Sequence, residues 1–451
     1  MIIKTFFIFF IFLFKYCKNK VVFVFEHFRH GARSPSDIFD DDLDLIKEQW
    51  DGIQELTNVG LRQSYLLGHF IRNKYPNLIN FEKYNPKEIE VLSTMTNRTI
   101  MSARAHLNGI FNNSIINKIE DKNINLCTPY YLLDEIDKFN LNNNYLYPDH
   151  YPEEVPIHII DYKEKLLQLE KNDICPIIKD LREQNKKREE ILEFIKKFNE
   201  TFGEQLLKIF NITDNNYYMD YENVNDIAIE TIINKFDDRE FSFFNDQIEL
   251  ESFYKASMEF FTLKTTLVYA NDINGTLGYI GSSILIRKIL SYMENIIQDI
   301  ESNKNDAPKL VLLASHDTAI ANMEGLIDNL FDIQVLPIPY TSSYIFELSK
   351  NENNNEYTVN LILNNETLKI IKYNDFKKKI ENDSWTYEQT GNYCGFLKEE
   401  DSNNNFNKKK EKNNWVIIII IFSILNAIII VYIIYLLING HFLQARDKND
   451  N

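Results

Sequence analysis

The chain has 451 residues, 44% of them hydrophobic and 25% charged, enough to bury a substantial core in one large or two moderate domains and to exclude wholesale disorder. Its 49 Lys and Arg against 66 Asp and Glu leave a formal charge of -17, so the bulk surface is acidic. A general nucleic-acid or anionic-membrane binder needs a basic face and is disfavoured, whereas a local basic pocket is compatible with this balance.

The chain opens on Met1-Ile2-Ile3-Lys4 and an apolar run over 5–14, the pattern of a secretory signal, so residues 1–17 are expected to be a signal peptide. Residues 20–25 form a short, nearly all-apolar run of the kind buried on both faces of a sheet, and turn abruptly polar at Glu26-His27-Phe28-Arg29-His30-Gly31. Val59, Leu61, Leu66, Leu67, Phe70 and Ile71 recur at helical spacing and predict a helix over 57–74, stopped before Pro76. A second strand is predicted over 90–94 and a helix from about 99 to 110.

From about 115 to 303 the pattern changes to charged helical stretches at 163–169, 177–199, 206–210 and 283–300, with few buried-strand runs. Residues 309–315 then repeat the first pattern, an apolar run ending in His316-Asp317 before a helical stretch. Later strands are predicted over 344–347, 357–363 and 368–371, with a hairpin turn at Asn364-Asn365. The alternation predicts an α/β catalytic domain built from 18–114 and 304–395, with a mostly parallel sheet and helices on both faces. Residues 115–303 are read as a mainly helical cap inserted near the strand ends, where specificity is set.

Beyond 395 come a charged, Asn-rich stalk (396–414), an uncharged stretch of 24 residues (415–438) and a short polar tail (439–451). As a helix, the uncharged stretch would reach about 36 Å, and a single C-terminal transmembrane helix is expected there. With the start signal this gives a single-pass type I membrane protein of lysosome, vacuole or cell surface, its catalytic domain lumenal or extracellular. Lys408, Lys409, Lys410 and Lys412 before the span, against Arg446 and Lys448 after it, oppose that orientation; the start signal is given precedence. Cys127, Cys175 and Cys394 remain after signal removal, an odd count that leaves three pairings open. Six Asn-x-Ser/Thr tripeptides, at Asn97, Asn112, Asn211, Asn274, Asn365 and Asn382, give weak support to a glycoprotein.

Two strands far apart in sequence each deliver a histidine just past their carboxyl end, where open α/β sheets bind ligands. Arg29 and Arg33 flank the first, and Arg98 follows the middle strand; their guanidinium forks suit a phosphate or sulfate dianion. Phosphoryl transfer needs such cations, a nucleophile on one side and a proton donor on the other. His30 can supply the nucleophile and form a phosphohistidine, His316 a hydrogen bond to a transferring oxygen, and Asp317 the proton for the leaving group at acidic pH. These two steps require no metal or cofactor. A metal hydrolase using His27, His30, His316 and Asp317 as ligands is the mechanistic rival, disfavoured by the adjacent arginines. The bland reading of Asp317 is a helix N-cap, and His27, His69 and His106 are read as structural.

Arg29-His30-Gly31-Ala32-Arg33-Ser34-Pro35 resembles the Arg-His-Gly-x-Arg-x-Pro signature of the histidine acid phosphatases, branch 2 of the histidine phosphatase superfamily, and His316-Asp317 resembles their later His-Asp pair. Leu56-Thr57-Asn58-Val59-Gly60 is similar to their Leu-Thr-x-x-Gly helix start, residues 93–103 to a third signature containing Arg98, and residues 339–348 to a late strand. The resemblance spans about 21–382. It implies an α/β domain with a smaller helical cap, and hydrolysis of phosphate monoesters at acidic pH through a phosphohistidine on His30. It further implies that Arg29, Arg33, Arg98 and His316 bind phosphate, that Asp317 donates the proton, and that no cofactor is used. The expected partner is a phosphorylated small molecule or phosphoprotein substrate; the oligomeric state stays open, with a homodimer as the family precedent. A phytase or other narrow phosphatase is the alternative within the family, and a catalytically silent phospho-ligand receptor the alternative outside enzymes. Because Arg98 adjoins the Asn97 sequon, Asn97 is expected to be unmodified.

Overall fold

The computed structural model describes residues 19–35, 52–111, 154–160, 175–209, 218–236, 247–397 and 430–431. The apolar run at 20–25 lies in β1 (Asn19–Arg29), which continues through Glu26 and His27, both fully buried. This extension into charged sequence is sustained by partners. Glu26 Oε1 accepts from the Ser343 hydroxyl at 2.6 Å, His106 Nε2 lies 3.0 Å from Glu26 Oε2, and His27 Nε2 lies 2.6 Å from Ser315 Oγ. Buried polar groups persist in a sheet only when paired in this way.

Along the chain follow α1 (Asn58–Lys74), β2 (Ile89–Ser93), α2 (Asn97–Ile110) and β3 (His158–Ile159). The helical region contains α3 (Ile177–Asn185), α4 (Glu189–Ile209), α5 (Tyr221–Phe236) and α6 (Gln247–Leu263), the last running into a π-helical segment, Lys264–Ala270. Then come α7 (Thr276–Ser302), β4 (Leu310–Ser315), α8 (Asp317–Phe331), β5 (Ser343–Asn351), β6 (Tyr357–Leu363), β7 (Glu366–Lys372), α9 (Tyr373–Asp383) and α10 (Tyr387–Cys394).

The strands form one sheet in the order β3-β2-β4-β1-β5-β6-β7. The first four run parallel, whereas β5 pairs antiparallel with β1, β6 with β5 and β7 with β6, so the sheet is mixed rather than mostly parallel. The parallel strands are separated by helical crossovers, but β6 and β7 are joined by the predicted two-residue turn, in which Asn364 (φ 48°) and Asn365 (φ 71°) are both left-handed, as a tight hairpin requires.

Alternation along β1 sends Phe23 and Phe25 to one face and Val24 and Phe28 to the other. The first face packs against Leu285, Ile289 and Met293 of α7 and Ile320 and Leu326 of α8. The second packs against Ile71 of α1 and Leu107 and Ile110 of α2. A separate core within the helical region joins Ile195 and Phe198 of α4 to Phe253 and Phe260 of α6. The helix predicted over 177–199 is broken after Asn185, whose side-chain amide instead donates to Val268 O (3.3 Å) and Asn271 O (3.2 Å). The segment predicted at 206–210 is largely absorbed into α4, α5 and α6 had no counterpart among the predicted stretches, and 163–169 lies outside the described residues.

The chain divides into two compact units, Met1–Thr390 and Gly391–Asn451. The sheet and α1 to α9 belong to the first. Cys175 and Cys394 each take part in a disulfide, while Cys127 lies outside the described residues. So do the expected signal peptide at 1–17, most of the stalk at 396–414 and the tail at 439–451.

Among the described residues no helix is long and apolar enough to cross a membrane. This overturns the expected single C-terminal transmembrane helix at 415–438. A span needs about 20 consecutive apolar helical residues. Only Ile430 and Val431 of that stretch are described, the remainder lying outside the described residues. Membrane anchorage and the single-pass type I topology built on it are accordingly withdrawn.

Candidate active site

Parallel pairing of β1 with β4 sets Arg29 opposite Ser315, so the residues that follow, His30 and His316, leave the carboxyl end of the sheet side by side. His30 N donates to Ser315 O at 3.0 Å, and the two imidazole centroids are 5.4 Å apart. On the other flank of β4, Thr94 N donates to Ala314 O (3.1 Å), and the chain then enters α2, bringing in Arg98. Segments more than 200 residues apart thus meet at one sheet edge.

The loop leaving β1 is held against the start of α1. Thr57 caps α1 by accepting from Gly60 N (3.1 Å) and its own hydroxyl donates to Ala32 O (3.2 Å). A Cβ on Gly31 would stand 2.2 Å from Gly60 O, and one on Gly60 would stand 2.1 Å from Ala32 O. Only glycine at both positions permits this approach, which places His30 and Arg33 over the sheet edge.

His30 is buried, and its Nδ1 lies 2.7 Å from Gly31 O. A carbonyl oxygen only accepts, so Nδ1 carries the hydrogen and Nε2 keeps its lone pair. Burial, and then Arg29, His316, Arg98 and Arg33, hold the His30 pKa well below the ordinary histidine value. At His316 the tautomer is the opposite one. Arg98 Nη2 donates to Nδ1 (3.1 Å), leaving Nε2–H to donate to Thr94 Oγ1 (3.0 Å). Burial and Arg98 press the His316 pKa down to about 3.

Arg98 also donates to Gln54 Oε1 at 3.1 Å, and Arg33 to Ser34 O at 2.8 Å. Arg29 is buried, with Nη1 on Ile338 O (2.8 Å) and Nη2 on Asp317 Oδ2 (2.9 Å). Its guanidinium carbon lies 4.1 Å from the Tyr340 ring centroid and 4.9 Å from that of Phe261, which fixes its plane. Asp317 opens α8, and its Oδ1 accepts from Thr318 N at 2.8 Å. Burial would raise the pKa of this carboxyl, but Arg29, Lys264 and the two histidines outweigh it and hold Asp317 well below the usual carboxylate range.

All six residues singled out from sequence, Arg29, His30, Arg33, Arg98, His316 and Asp317, therefore lie in one cluster. A neutral imidazole with an open lone pair sits among three guanidiniums beside a carboxylate, an arrangement suited to accepting a phosphoryl group. The model of the histidine phosphatase superfamily (branch 2) matches residues 20–364. The chain belongs to that family.

Among its relatives, prostatic acid phosphatase of Bos taurus is 26% identical over 347 residues, covering 76% of this chain and 77% of that protein. Lysosomal acid phosphatase of Xenopus laevis is 26% identical over 356 residues, 76% of this chain and 69% of that protein. Among solved structures, the phytase from Citrobacter braakii is similar with a TM-score of 0.53 at 12% identity, covering 82% of this chain and 98% of its own, a likeness of fold alone.

This histidine phosphatase also has site residues that its sequence did not single out. Gln54, Thr94, Phe261 and Tyr340 orient the arginines and His316. Tyr340 lay within the segment resembling a late family strand and Thr94 within the one resembling the third signature; Gln54 and Phe261 had no local signal. A cavity of about 250 Å³ adjoins the cluster on the Asp317 side, walled by Arg29, Arg33, Asp317, Thr318 and Tyr340 and by Asn225, Lys264 and Tyr269 from the helical region. His27, a ligand in the rival metal reading, bonds Ser315 inside the sheet, and no group of three or more His, Cys, Asp or Glu among the described residues could hold a metal ion.

Proposed function

We propose that this histidine phosphatase hydrolyses phosphate monoesters at acidic pH through a phosphohistidine on His30, with no metal in the reaction. The dianion seats among Arg29, Arg33, Arg98 and His316, and on its arrival the His316 Nε2–H turns from Thr94 to an equatorial oxygen. Nε2 of His30 forms the bond to phosphorus as the ester P–O bond breaks, and Asp317 gives its proton to the departing oxygen. Water then attacks the phosphohistidine, Asp317 takes a proton from it, and phosphate and neutral His30 are regenerated.

One observation carries this reading: the His30 Nδ1 contact with Gly31 O reserves Nε2 as a nucleophile, in a ring that burial and then the surrounding cations keep neutral in acid, where a free histidine would be protonated. Asp317 needs a proton to act as an acid, yet its ion pair with Arg29 favours the carboxylate. Arrival of the substrate dianion offsets the charge of Arg29 and weakens that hold, so protonation follows binding.

Turnover of p-nitrophenyl phosphate from acidic to neutral pH, with competitive inhibition by vanadate, tests the reading. His30→Ala is expected to lose more than about a thousandfold in kcat while keeping its circular dichroism spectrum. A folded His30→Ala enzyme retaining a tenth of the wild-type rate, or so, would overturn it.

A further inference from the structure

In the phosphatase reading a leaving group protonated by Asp317 departs on the Asp317 side of the site, which is where the cavity lies. Its far wall comes from the helical region and is built around Lys264, the first residue of the π-helical segment. π-helical turns are uncommon and concentrate at functional sites. Here the turn places Lys264 and Tyr269, five residues apart, on one side, with Lys264 Nζ 5.5 Å from the Tyr269 ring centroid, and both line the cavity.

Two hydrogen bonds fix the ammonium. Asn225 Nδ2 donates to Asp226 Oδ1 (2.9 Å), which turns the Asn225 carbonyl towards Lys264, and Lys264 Nζ donates to Asn225 Oδ1 (2.6 Å). Lys264 is thus held by a neutral amide and not by direct contact with a carboxylate. Of the cavity's ionised groups, Arg29 and Asp317 neutralise each other, leaving Arg33 and Lys264 against Asp226. The positive excess therefore extends beyond the arginine cluster. A half-buried, pre-positioned ammonium in such a cavity is complementary to an anion.

We propose that this cavity is a leaving-group subsite in which Lys264 selects phosphate monoesters whose alcohol portion carries a second anionic group, a carboxylate or another phosphoryl group. The proposal rests on the phosphatase reading above. Lys264 acts here as a specificity-determining residue, and its contribution is read as a ratio within matched substrates.

The test compares kcat/KM for phosphoglycerate against glycerol phosphate, and for a hexose bisphosphate against the hexose monophosphate, at constant pH and ionic strength. The wild-type enzyme is expected to favour the doubly anionic member by about tenfold, chiefly through KM, as one charge-assisted hydrogen bond provides. Lys264→Gln brings the ratio to about one, Lys264→Arg keeps most of it, and Asn225→Ala, which frees the ammonium, lowers it. Preference within one pair alone supports the proposal and names the anion. Equal kcat/KM within both pairs for the wild type, or a ratio unchanged in Lys264→Gln, overturns it. Failure of the phosphatase reading would look different, because p-nitrophenyl phosphate would then not be turned over at all.

Discussion

At Asp317 a single carboxylate is the ion-pair partner of Arg29 in the resting site and, in the proposed mechanism, also the proton donor during transfer. Asp317→Asn keeps size and the Thr318 contact but has no proton of suitable acidity. It is expected to slow alkyl phosphates by about a hundredfold or more and nitrophenyl phosphate much less, because a good leaving group departs without protonation. Equal losses for both, measured as kcat across a leaving-group series, would remove the proton-donor role. Of the site, the residues following strands were legible in the sequence: His30, His316 and Asp317 stand after two all-apolar runs, and three arginines flank them. Their partners were not. The contacts of Arg98 with Gln54 and His316, and of Arg29 with Ile338, cross 44, 218 and 309 residues of chain, and no local pattern encodes such pairings.

Element by element, short buried strands were found because continuous apolar runs have few other uses, and the Asn364-Asn365 hairpin because two left-handed asparagines encode their own turn. The end of β1 was misread, since Glu26 and His27 look like loop residues until Ser343, His106 and Ser315 close around them. The contact between the β1 loop and α1 gives a paired prediction. Gly60→Ala would push a methyl group to 2.1 Å from Ala32 O and is expected to cost about 2–4 kcal/mol and reduce kcat/KM, since the same loop carries His30 and Arg33. Gly203→Ala, within α4, meets nothing nearer than 3.8 Å and is expected to stabilise by about 0.5–1 kcal/mol with activity unchanged. Denaturant titration beside steady-state assays checks both. Equal stability effects at the two positions would contradict the close-approach explanation.

For the whole molecule, two buried groups far from water set opposite limits on stability with pH. Burial raises the Glu324 pKa to about 8, and its Oε1 is buried without a hydrogen-bond partner among the described residues, as is the neighbouring Tyr344 hydroxyl. The folded state therefore keeps a proton that the unfolded chain releases near 4.5, and this stability is fully present below 4.5 and is lost progressively as pH rises to about 8. Burial lowers the His27 pKa from 6.5 to about 3, so the unfolded chain gains a proton first and stability falls as pH drops below 6.5. Each shift corresponds to at most about 5 kcal/mol. Thermal stability is expected to peak in mildly acidic solution, and Glu324→Gln to flatten the decline on the alkaline side. A melting temperature that keeps rising into alkaline solution in the wild type would refute the Glu324 assignment. The fold, the site and the family converge on covalent phosphoryl transfer to one imidazole, and the most direct measurement is to mix enzyme with labelled substrate, denature rapidly, and map the label at neutral or alkaline pH. Label is expected on His30, stable to base and lost in acid; a denatured enzyme without label under steady turnover, or label on any other residue, would contradict it.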